Sequence, residues 1–251
     1  MKRFLLSLLL LAGPAAAETP KYAPVGGAVA VPLSLDNAYF RGPAVQASDY
    51  WGLSSFYVPQ YNEAACSAAS VAMALNALLN ARRARGDAEE NITQEKLLEK
   101  VTGLKWKELV SPEGLDGRHG LTLNQLAQAS REALAAYGGT GFTVSSTAVN
   151  GQGALALENF RRALSGNEKN PADIMLLHFA QDTLTGAPGG PFAHISPVGA
   201  YDEKTRRVLI MDVDRDWYEP YWAADTQVFK AMAVKTPAFG AGGYVIIRAK
   251  K

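Results

Sequence analysis

The 251-residue sequence has a single cysteine, Cys66, and three histidines. One cysteine excludes an intrachain disulfide framework. So few cysteine and histidine side chains also leave no ligand cluster for a structural zinc site. There is no internal repeat and no low-complexity linker. No charge dominates: 25 Lys and Arg face 24 Asp and Glu, a net charge of +1. A near-neutral chain lacks the basic field that nucleic acid or an anionic membrane would require, so its partners must be read from a site.

Long apolar runs are also missing. Phe4 to Leu11 is apolar but far shorter than the roughly 20 residues that span a bilayer. Lys2 and Arg3 precede this run, and Ala15, Ala16 and Ala17 follow it. Basic, apolar and small-residue parts in that order read as a secretory signal peptide over residues 1–17, cleaved before Glu18. The expected location is periplasmic or secreted. Without Lys2 and Arg3 the balance is 23 basic to 24 acidic residues. A lone cysteine in an exported protein is either an inert core residue or a reactive thiol.

Residues 18–49 are rich in Ala, Pro, Gly and Val without periodicity and read as an extended arm. Residues 50–251 then form one catalytic-sized domain. Val71, Leu75 and Leu78 recur at helical spacing and predict a helix over 66–84. Asn91 to Gln94 reads as a capping box opening a helix to about Thr102, and Thr122 to Gln125 as a second, opening a helix to Tyr137. Gly138, Gly139 and Gly141 end the latter. A strand at Phe142–Ser145 and a helix near Ala154–Leu164 follow. The runs Ile174–Phe179, His194–Ala200, Arg207–Asp212 and Tyr244–Ala249 read as strands. Helices first and strands later predict an α+β fold, a helical part followed by an antiparallel sheet.

Cys66 stands at the start of its helix, where first-turn N–H groups and the macrodipole favour thiolate over thiol. Acyl transfer further requires a base and donors for an oxyanion. Gln60, six residues earlier, places a side-chain amide within reach of a carbonyl attacked by Cys66. His119 lies in a loop, GRHG. His178 lies inside a strand run, where an imidazole reads as a core or half-exposed side chain. His194 heads a strand after a Gly/Pro-rich segment, and a hairpin returns the chain to Asp212. Asp214 and Asp216 compete two and four residues on, and alternation puts Asp212 and Asp214 on the same face, so spacing leaves that choice open. Trp217, Tyr218, Tyr221 and Trp222 read as packing around the Asp212 strand.

The segments QYNEAACSAASVAMALNALL, HISPVGAYDEKTRRVLIMDVDRDWYEPYW and Phe229 to Met232 resemble the catalytic domain of phytochelatin synthases over roughly residues 50–250. The short bacterial members are the nearest in pattern. This resemblance implies a papain-like cysteine-protease fold. It implies Cys66 as nucleophile, His194 as base, Asp212 rather than Asp214 as third member and Gln60 as oxyanion donor, with Arg215 close by. The implied activity is glutathione γ-glutamylcysteinyl transfer through a thioester on Cys66. The Cys-rich C-terminal half of plant members is missing, which favours hydrolysis over transpeptidation. No cofactor is implied; cadmium or zinc would enter as glutathione thiolate complexes. The sequence departs from the family pattern at three places: Ser67 and Ala193 stand where Gly is usual, and Gly242 where relatives often carry Arg. Ser67 and Ala193 would narrow the substrate's approach, and Arg215 or Arg118 would replace the missing arginine. Two other readings stay open: a periplasmic papain-like peptidase or amidase acting on another peptide, and a thiol-peptide binding protein without turnover. A homodimer is among the assemblies the sequence leaves open.

Overall fold

The computed structural model describes residues 29–250 apart from residues 44, 81–90, 152 and 237–238. The expected signal peptide and residues 81–84 of the first expected helix lie outside the described residues. In chain order the elements are β1 (Val31–Pro32), α1 (Ser48–Ser54), α2 (Cys66–Asn80), α3 (Gln94–Lys100), α4 (Trp106–Leu109) and α5 (Leu123–Ala136). They continue with β2 (Phe142–Ala148), α6 (Ala154–Glu168), β3 (Asp173–Ala180), α7 (Asp182–Thr185), β4 (Ala193–Asp202) and β5 (Arg207–Ile210). The last are β6 (Tyr221–Ala224), α8 (Asp225–Ala233), β7 (Lys235–Thr236), β8 (Gly240–Ala241) and β9 (Gly243–Ala249).

Seven strands form one sheet in the order β1-β6-β5-β4-β3-β9-β2, and every pairing in it is antiparallel. The fold is α+β, consistent with the papain-like architecture that the family resemblance implies. Strand alternation divides the core in two. Ile174 and Leu176 of β3, and Val245 and Ile247 of β9, join α2 and α5 on one face. Met175, Leu177 and Phe179 of β3, with Tyr244 of β9, join Phe160 of α6 and Phe229 of α8 on the other. Both faces are therefore covered, which is why β3 is buried at every residue. The helices are not confined to the N-terminal part: α6 and α8 come later and cover the second face.

Helix α2 is enclosed nearly all round. Its run of small and medium residues, Ala68, Ala69, Val71, Ala72 and Met73, is almost fully buried, as expected of a helix apolar on all sides. The capping box of Thr122 and Gln125 is present in full and opens α5. The other expected box is not. Asn91 does not cap α3; the Thr93 side chain accepts the Lys96 N–H at 3.3 Å instead. The cause is tertiary: Asn76 of α2 pairs with both the N–H and the C=O of Ile92, each at 2.9 Å. That clamp delays the helix by two residues. Residues 31–41 lie along the sheet edge, where β1 pairs with β6 and Trp222 Nε1 donates to the Asp36 carbonyl at 2.9 Å.

Candidate active site

Three elements bring the site together. Cys66 is the first residue of α2, His194 the second of β4, and Asp212 lies two residues past the end of β5. The helix is fastened to the sheet beside the histidine: Ser70 Oγ donates to the Ile195 carbonyl at 2.9 Å. His194 Nε2 donates to Asp212 Oδ1 at 2.8 Å, with Asp212 wholly buried. The Cys66 thiol is hydrogen-bonded to the same imidazole. With Nε2 committed to the carboxylate, Nδ1 is the nitrogen left to face sulfur.

Burial opposes a charged imidazole here, but the Asp212 carboxylate and the Cys66 sulfur outweigh it and hold His194 well above its ordinary pKa. Burial likewise opposes the Asp212 carboxylate, and the His194 charge reverses the balance and lowers its pKa. The pair therefore persists as carboxylate and imidazolium. Three further donors meet that carboxylate. Tyr221 OH reaches Oδ2 at 2.8 Å, Gln181 Nε2 reaches Oδ2 at 3.1 Å, and the Asp214 N–H reaches Oδ1 at 2.9 Å. Burial, followed by the adjacent carboxylate, keeps the Tyr221 phenol well above its usual range, so it stays a donor. Ser196 Oγ lies 3.0 Å from His194 Nε2 and accepts the Val213 N–H at 3.3 Å, tying the two strands at the site.

Cys66, His194 and Gln60 open onto a cavity of about 730 Å³, a size suited to a small-molecule or short-peptide ligand. The Gln60 N–H donates to the Val213 carbonyl at 2.8 Å, which sets its side chain beside the Asp212 segment. The Gln60 Oε1 is buried without a hydrogen-bond partner. First-turn N–H groups of α2 have no intrahelical carbonyl to meet and supply donors at the same place.

The other expected residues divide. Ala193 lines the cavity. Ser67 does not; it is fully buried, and its Oγ accepts the Trp106 Nε1–H at 2.9 Å inside the core. Its expected contact with substrate is replaced by a packing role. Arg215 is also turned aside: its guanidinium stacks 4.8 Å from the Tyr57 ring centre and donates to the Tyr218 carbonyl at 3.1 Å. Neither Arg215 nor Arg118 is among the described lining residues, so neither replaces the missing arginine on the wall. At Gly242 a Cβ would meet the His178 carbonyl at 1.9 Å, so this backbone accepts no side chain at all. His178 lines the cavity; its Nε2 lies 2.9 Å from the Leu121 carbonyl, and burial lowers its pKa, leaving it neutral. Trp217 faces the cavity; Tyr218 lines it too but also packs edge-on against Tyr221, as expected, and Tyr221 and Trp222 are buried.

Sequence reasoning missed Gln181 and Ser196 and gave Tyr221 only a packing role. Ser196 had a signal, the H-x-S start of β4. Gln181 had none, because its approach to Asp212 bridges 31 residues. Among the described residues no group of three or more His, Cys, Asp or Glu side chains is placed to hold a metal ion.

The family model for phytochelatin synthase matches residues 37–243, a span that includes Gln60, Cys66, His194 and Asp212. The chain belongs to the phytochelatin synthase family. No curated protein sequence matches it. Membership in this family supports a glutathione γ-glutamylcysteine transferase-like function. For a phytochelatin synthase family member, a buried thiol, imidazole and carboxylate in series at a ligand-sized cavity is the arrangement that acyl transfer requires.

Proposed function

We propose that this protein cleaves glycine from glutathione-type thiol peptides through a thioester on Cys66, with water as the main acceptor of the acyl group. The observation that carries this reading is the hydrogen-bonded series Cys66, His194 and Asp212 at the cavity wall. The Cys66 thiolate attacks the carbonyl carbon of the Cys–Gly bond. The resulting oxyanion is met by the Gln60 amide and the first-turn N–H groups of α2. Collapse breaks the C–N bond, and the His194 imidazolium delivers its proton to the departing glycine nitrogen. Water then gives a proton to His194 and its oxygen to the thioester carbon, releasing γ-Glu-Cys and regenerating the thiolate. Attack by the amino group of a second thiol peptide gives the longer transpeptidation product by the same step.

Asp212 holds the imidazole in the tautomer and orientation that both steps use. Cadmium or zinc enters, where it does, as part of a metal–thiolate substrate. Export after cleavage before Glu18 would place this chemistry in the periplasm or outside the cell, and the N-terminal residue of the exported form tests that placement. The deciding experiment incubates the protein with glutathione, with and without cadmium, and follows products by mass spectrometry beside Cys66→Ala. Glycine release and γ-Glu-Cys formation confined to the unaltered protein support the reading. Absence of any acyl-enzyme while Cys66 is still readily alkylated would overturn it.

A further inference from the structure

The charge of the cavity wall is one-sided. Its described lining residues include the carboxylates of Glu63 and Asp214 and no lysine or arginine. The two buried histidines of the wall, His178 and His194, do not redress this. Burial keeps His178 neutral, and the His194 charge is matched by Asp212. At Gly242, where the family pattern favours an arginine, the approach of the His178 carbonyl forbids any side chain. Large aromatic rings stand at the same wall: Trp217 is 60% and Phe192 44% exposed, and Tyr218 lies beside them. The exposed ring faces of Trp217 and Phe192 are a surface that attracts an organic cation, since ring faces carry negative potential.

Glutathione carries two carboxylates and one ammonium. In this cavity its carboxylates meet two more carboxylates and no described cationic side chain. We infer that the cavity selects acyl donors by a protonated amine and discriminates against free carboxylates, with Asp214, Glu63 and Trp217 as the specificity-determining residues. Among glutathione-type thiol peptides the preferred acyl donors are therefore those whose C-terminal carboxylate is masked as an amide or ester, glutathione itself being the slower member of the class. This rests on the acyl-transfer reading above. Burial pushes the Asp214 carboxyl up, with the His194 charge only partly opposing; a bound ammonium relieves that penalty.

The test measures cavity charge without turnover. The mature protein is treated with three methanethiosulfonates carrying an ethylammonium, a methyl or an ethylsulfonate group. Each forms a mixed disulfide with Cys66 and releases methanesulfinate, and each rate is divided by that of free 2-mercaptoethanol. The expected normalised preference for the cationic over the anionic reagent is roughly 10-fold or more. It should collapse toward unity in the Asp214→Asn, Glu63→Gln double variant, while the neutral methyl reagent keeps its rate and so reports an intact fold. A normalised ratio at or below one in the unaltered protein, or a ratio unmoved by the double variant, overturns the inference. A second arm compares acylation of Cys66 by glutathione and by its C-terminal amide, the amide being the faster donor. If neither peptide acylates Cys66, the acyl-transfer reading fails, and the reagent ratio still decides the charge preference.

Discussion

Asp212 and Tyr221 share a buried hydrogen bond of 2.8 Å, made to the carboxylate oxygen that His194 does not use. The carboxylate is thereby pinned from both ends. Asp212→Asn keeps the shape but removes the charge that stabilises the imidazolium, and one amide cannot accept at both positions where His194 and Gln181 donate. The expected loss in acylation rate is about 10³–10⁴-fold, read as acyl-enzyme formation by intact-mass spectrometry. Asp214, whose side chain faces the cavity, does not rescue it. Activity within a few-fold of the unaltered protein would remove Asp212 from the proposed role.

Gln60→Ala separates oxyanion stabilisation from thiol reactivity. Acylation by a thiol peptide develops negative charge on oxygen, whereas alkylation by iodoacetamide does not. The expected result is a drop of about 10²–10³-fold in acylation with little change in alkylation of Cys66. Equal losses in both reactions would mean that Gln60 acts on the thiol or on local packing.

Ser67→Gly restores the residue usual in the family and is nevertheless expected to destabilise this chain. The Trp106 indole N–H is buried and donates to Ser67 Oγ at 2.9 Å. Removing that acceptor leaves a buried donor unpaired, which costs about 1–3 kcal/mol. Urea unfolding of the two forms measures it. An unchanged midpoint would mean that Trp106 finds another acceptor.

Asp49 gives a pH signature. Burial, followed by repulsion from Asp173 and Glu168, raises its carboxyl pKa well above the ordinary value, so the folded state holds its proton more tightly than the unfolded chain. Stability from this group is complete below the unfolded-state pKa, near 4, and is lost as pH rises toward the folded-state value. Asp49→Asn is therefore expected to raise the melting temperature at pH 7, by about 2–4 °C for each kcal/mol regained. The difference should vanish near pH 4. A variant that melts lower at both pH values would show that the carboxyl is needed for its contact with Asn167.

Much of the fold and the heart of the site were legible because they rest on local patterns. Cys66 at a helix start, His194 at a strand start and the Thr122–Gln125 box are written in consecutive residues. The choice between Asp212 and Asp214 was not. Continuing the Val198↔Ile210 pairing of β4 and β5 by two-residue steps would set Asp212 opposite Ser196 and Asp214 opposite His194. The last backbone bond in that register is Met211 N–H to the Pro197 carbonyl at 2.9 Å; beyond it the chain departs, and Asp212 reaches back to the imidazole. The resemblance names Asp212, the carboxylate that the structure sets against His194, where periodicity did not choose. Thr93 replaced Asn91 as a cap because a side chain on another helix claimed Ile92. Ser67 and Arg215 were misread as substrate contacts for a like reason: Trp106 and Tyr57, remote in sequence, fix where they point.

The Ser70–Ile195 hydrogen bond joins two layers that each bring half of the chemistry, sulfur from the helix and imidazole from the sheet. Neither layer alone forms a reactive centre. The speed at which a simple reagent modifies Cys66 is therefore a gauge of how well the layers are seated. Loosening of α2 should silence the thiol's partnership with His194 before the backbone as a whole gives way. Followed along a denaturant series, that one side chain would show whether helix and sheet separate first or melt together.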